Sequence, residues 1–86
     1  MGLLDRLIGG FLNTADEELI QMLREFEIDY PYDEEFLYAI PLIENAIIDG
    51  EYDSAWILFQ ETAPMSIAPI DWELFEELLI EADLRK

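Results

Sequence analysis

Residues 41–62, PLIENAIIDGEYDSAWILFQET, decide the fold. Asp49-Gly50 closes one helix and Tyr52-Asp53 starts the next. The glycine falls where a helix C-terminus takes a residue with positive φ. Asp53 is placed to cap a helix that carries Ala55, Leu58, Phe59 and Thr62 on one face. Both helices are too apolar to stand alone, so the rest of the chain must cover them. The prediction is a central helical hairpin in an all-α protein, a compact bundle of four to five short helices.

On the N-terminal side of the hairpin, Phe36, Ile40, Ile43 and Ile47 line one helical face, opened by the acids Asp33, Glu34 and Glu35. Pro41 interrupts this pattern because it cannot donate to the Leu37 carbonyl. The third helix is therefore expected to be Pro-kinked, or broken into segments 33–39 and 41–49. Tyr30-Pro31-Tyr32 is a turn, since a residue before proline avoids helical geometry. Before it, Leu19, Met22, Leu23 and Phe26 form the stripe of a second helix over about 15–27, started by the capping box of Thr14 and Glu17. Asp16, Glu17 and Glu18 suit the positive end of that helix. Leu4, Leu7, Ile8 and Phe11 fall at helical spacing and predict a first short helix over about 2–10, docked on the core.

On the C-terminal side, the helix of the hairpin runs from about Ser54 to Thr62 and bears Trp56. Two prolines in the apolar connector 63–69 disfavour helix there and predict packing over the end of the bundle. Asp71 is placed to cap a last helix, with Ile70 and Phe75 as its hydrophobic staple. Phe75, Leu78, Leu79 and Ala82 point inward, while Glu73, Glu77 and Glu81 line another side with Glu76 nearby.

The 86 residues support one domain, 1–86, with a modest core. The apolar share of 52% is ample for folding, and leftover apolar surface would serve a partner or a second copy of the chain in a homodimer. There are 21 acids, four Lys or Arg and no His, a formal charge of −17. Between Glu25 and Leu84 no cation occurs at all. Free nucleic acid and anionic membranes are poor partners for such a surface, and basic proteins are good ones. No apolar run is long enough to span a membrane, and the start lacks the leader of a signal peptide. A cytoplasmic setting is expected.

Catalysis finds little support. Cysteine and histidine are absent, Lys86 is the one lysine, and no Ser or Thr has a base beside it in sequence. No enzyme activity, cofactor or metal is expected. Asp49, Glu51 and Asp53 alternate like the start of a calcium loop, but Ser54 and Gln60 stand where the loop needs Gly and Glu. Gly50, Tyr52, Ala55 and Phe59 spell G-x-Y-x-x-A-x-x-x-F. This resembles the turn and second helix of a tetratricopeptide repeat. The resemblance covers residues 50–62 only, without a second copy, and so implies a helical hairpin and no solenoid.

The acidic surface remains. Carboxylates on successive helical turns lie about 6 Å apart, against about 3.4 Å of axis between phosphates on one DNA strand. A few acidic helices thereby compete for a groove built to hold nucleic acid. The expected function is a small binding protein that inhibits or neutralises a basic, nucleic-acid-handling partner. In size and charge the chain resembles acidic anti-defence and toxin-immunity proteins. Expected contacts are Asp33, Glu34 and Glu35 at one helix start, Glu51 and Asp53 at the hairpin turn, and Glu73, Glu76 and Glu77 on the last helix. Tyr30, Tyr32 and Trp56 are the candidate aromatic anchors. The alternative is a helical adaptor that binds through an apolar groove, with charge serving solubility or a high-salt habitat.

Overall fold

A computed structural model of the chain describes residues 14–85, which form an all-α bundle of four helices. They are α1 (Thr14–Asp29), α2 (Glu34–Ile48), α3 (Tyr52–Thr62) and α4 (Pro69–Leu84). Each helix packs on its neighbours in sequence, and α1 closes the ring against α4. Short turns make successive helices antiparallel. The expected helix over 2–10 lies outside the described residues, and Thr14, expected to cap α1, is the first residue described in it.

The hairpin forms as its sequence dictates. The Gly50 backbone has φ 80°, its N–H donates to the Ile47 carbonyl, and the Glu51 N–H donates to the Ala46 carbonyl. These two bonds satisfy carbonyls that the end of α2 would otherwise leave open. The closure also delivers the chain directly into α3, which begins at Tyr52 rather than Ser54. Asp53 therefore does not cap. Glu51 holds the cap position without a side-chain bond, and Asp53 lies in the first turn. α4 repeats the lesson. Pro69 takes the first helical position, where its missing N–H costs nothing, and Ala68 is the cap residue, so Asp71 sits inside the first turn. The staple also shifts: Ile70 is 72% exposed, and Ile67 takes the buried place.

Pro41 does not break the third expected helix. α2 is continuous from Glu34 to Ile48, so the division into 33–39 and 41–49 is not found. Pro41 is exposed, on the side where water can take the bond it leaves unmade. On the other side Phe36, Ile40, Ile43 and Ile47 are all fully buried. Each such burial contributes about 1.5–3 kcal/mol, and together they outweigh the roughly 3 kcal/mol of an interior proline.

The core has an aromatic centre to which every helix contributes one phenylalanine. Phe59 of α3 lies 5.9 Å from Phe26 of α1, 5.9 Å from Phe36 of α2 and 4.2 Å from Phe75 of α4. Trp72 meets Phe59 edge-on at 4.7 Å. The connector after α3 seals this end: Ile67 is buried, and the Tyr30 hydroxyl donates to the Ser66 carbonyl at 3.5 Å.

Candidate partner-binding surface

The surface carries an excess of carboxylates over cations. Among the described acids only Asp16 is buried, Asp33, Glu44 and Asp71 are half-buried, and all others are exposed. Two ion pairs occur among the described residues. Arg24 Nε lies 3.8 Å from Glu44 Oε2 across α1 and α2, and Arg85 Nη2 lies 2.6 Å from Glu81 Oε1 along α4. Both described cations are thus already engaged, and most of the remaining carboxylates face solvent.

The antiparallel pairing of α3 and α4 gathers part of the expected contact set. Glu51 and Asp53 share a hollow of ≈ 270 Å³ with Gly50, Ser54 and Asp83. Next to it, Asp53, Trp56 and Glu76 line a second hollow of ≈ 120 Å³ with Leu79, Ile80 and Asp83. The acidic start of α3 therefore meets the end of α4 in one trough, with Trp56 and Ile80 at its apolar end. Asp83 and Ile80 were not among the expected contacts. Their place follows only from the direction in which α4 runs past α3.

The other expected residues lie elsewhere. Asp33 caps α2, its Oδ1 accepting from the Phe36 N–H at 3.0 Å, and this bond ties it to the fold. Glu34 and Glu35 are exposed beside it. They stand at the far end of α2 from the trough, about 20 Å along a helix of this length. Glu73 and Glu77 are exposed on α4 and line neither hollow. Of the aromatics, Tyr32 is 95% exposed and stands free as an anchor. Tyr30 is half-buried over the connector. Trp56 is half-buried, stacked on Phe59 at 6.0 Å and edge-on to Trp72 at 6.1 Å, so one side packs the core while the other lines the trough.

Asp16 lies in the acidic first turn of α1, as expected, but not on its solvent side. It is fully buried, and the Tyr52 hydroxyl donates to its Oδ1 at 2.7 Å. A buried carboxyl needs such a donor, because a polar group taken from water without one costs several kcal/mol. The spacing carried the signal: Asp16, Leu19, Leu23 and Phe26 follow one helical stripe. The fold also perturbs the ionisation of Glu44. Partial burial raises its pKa, Arg24 opposes that, and Glu27 adds to it.

No group of three or more acids that could hold a metal ion occurs among the described residues. None of the described helices is long and apolar enough to cross a membrane. No family model, curated protein or solved structure matches the chain.

Proposed function

We propose that the protein is a small acidic inhibitor, acting in the cytoplasm as a binding protein and not as an enzyme. Its partner is a basic protein that handles nucleic acid, and its carboxylates occupy the surface where phosphates would lie. The observation that carries this reading is the dense array of exposed carboxylates with only two cations among the described residues, both already paired. The α3–α4 trough is the part best suited to a Lys or Arg side chain, because Asp53 and Asp83 converge there beside Trp56. Long-range attraction of this kind accelerates encounter and suppresses partners of like charge.

The test is competition. The full chain, immobilised at about 50 mM salt, is expected to retain basic proteins that duplex DNA displaces, and to release them as salt rises toward about 500 mM. Asp53→Asn with Asp83→Asn is expected to weaken retention about tenfold, roughly 1.4 kcal/mol. Binding that ignores both DNA and salt would overturn the reading and leave apolar contact as the basis of recognition.

A further inference from the structure

A second surface lies on the other side of α4. The C-terminal half of α1 and the N-terminal half of α4 enclose a groove of ≈ 340 Å³. Met22, Ile28 and Leu74 form its apolar walls, and Glu25, Asp29 and Asp71 form its rim. Ile28 is 76% exposed and Leu74 44%. Large aliphatic side chains that converge on one groove at this exposure mark a docking surface better than scattered ones do. We infer that the groove binds an amphipathic, cationic helix of a partner protein.

Charge complementarity selects that occupant. The rim offers three carboxylates and no cation, and Arg24, the basic residue of α1, is engaged by Glu44 of α2. A second copy of the chain would bring the same acidic rim and a formal charge of −17. Residues 1–13 carry apolar residues but only Arg6 beside Asp5, so they offer no net charge to match. A helix with apolar residues at i and i+4 and Lys or Arg on its flanks satisfies both walls and rim. The inference stands apart from the proposed function, since apolar contact persists in salt that screens the carboxylates.

The experiment titrates the isotope-labelled full chain with a synthetic peptide, at about 0.5 M NaCl, and follows amide shifts by NMR. The peptide carries leucines at i and i+4 with lysines on the flanks, and a scrambled peptide of the same composition is the control. Shifts are expected at Met22, Ile28 and Leu74, with at least about tenfold weaker binding of the scrambled peptide. Leu74→Asp is expected to weaken binding similarly, and Ile57→Asp, on an exposed site of α3, to leave it unchanged. Circular dichroism checks the fold, and Ile28→Asp replaces Leu74→Asp if the latter unfolds. Equal binding of the scrambled peptide overturns the inference, as do shifts confined to Asp53 and Asp83. Two other results also overturn it. One is movement of the Ile28 and Leu74 amides in Leu7→Gln with Phe11→Gln before any peptide is added, which would place residues 1–13 in the groove. The other is self-association that Leu74→Asp abolishes.

Discussion

The two ends of the bundle are built differently. At one end, Phe26, Phe36, Phe59 and Phe75 meet ring against ring, and the surface above them is the apolar groove of Met22, Ile28 and Leu74. At the other, the interior is aliphatic around the bond from Tyr52 to Asp16, and the surface above is the hollow of Glu51, Asp53 and Asp83. The first end holds by volume: many contacts, none of them directional enough to fix one arrangement alone. The second holds by geometry, because the Tyr52 hydroxyl must stand within hydrogen-bond distance and angle of the Asp16 carboxyl. The comparison teaches where each kind of damage should fall.

Removing the hub of the aromatic end should have the largest effect. Phe59 is fully buried and touches a ring on each of the other three helices. Phe59→Ala is expected to cost about 3–5 kcal/mol, much of the stability of a domain this size. Chemical denaturation measures it, with Phe59→Leu losing distinctly less. A loss under about 1 kcal/mol would mean that the four rings do not act as one packed unit.

The polar end should break by a smaller amount, and unlike the aromatic end it should be repairable. Tyr52→Phe removes the hydroxyl donor and keeps the ring, at an expected cost of about 1–3 kcal/mol. Combining it with Asp16→Leu should recover much of that loss, since replacing both partners removes the polar group along with its bond. A double-mutant cycle reads the coupling. Failure to recover would show that the carboxyl does more at this end than accept from Tyr52.

The same contrast explains what could be read from the chain in advance. Helical periodicity made the phenylalanines legible as core, because burial follows from apolarity at the right spacing. Asp49-Gly50 was legible as a turn because few residues accept a φ of 80°. Asp16 lay on the same periodic stripe as Leu19, but an acid is an improbable core residue until Tyr52 is known to reach it from α3. The caps were misplaced for a different reason. Each helix start offers acids at neighbouring positions, and the closure of the preceding turn, rather than intrinsic cap preference, selects which residue stands first. Pro41 was read as a kink or break because its local penalty is visible in sequence, whereas the packing of α2 on both α1 and α3 that outweighs it is not. The acidity of the surface was evident from composition. Its division into a trough at one end, with Asp83 included, and an apolar groove at the other depends on α4 pairing with both α1 and α3, which no local pattern encodes.

The smallest expected effect sharpens the comparison, because it asks whether charge between α1 and α2, away from the bond of Tyr52 to Asp16, supports the fold or strains it. Glu44, in the C-terminal half of α2, faces Arg24 and Glu27 of the C-terminal half of α1, and burial raises its pKa above the ordinary 4.5 despite Arg24. The folded state therefore holds this proton more tightly than the unfolded chain does. That stabilisation is fully present below about pH 4.5 and is lost as pH rises through the folded value. Glu44→Gln keeps the shape and removes the titration. Its stability relative to the parent should rise across that window and level off above it. The Arg24 contact, at 3.8 Å with an exposed guanidinium, offsets part of the gain, so the net change at neutral pH should stay within about 0.5 kcal/mol. Denaturation of both proteins at several pH values measures the difference. A Glu44→Gln variant that loses stability relative to the parent as pH rises would show that the ion pair outweighs the burial cost, and that charge between α1 and α2 adds to what the bond from Tyr52 to Asp16 holds.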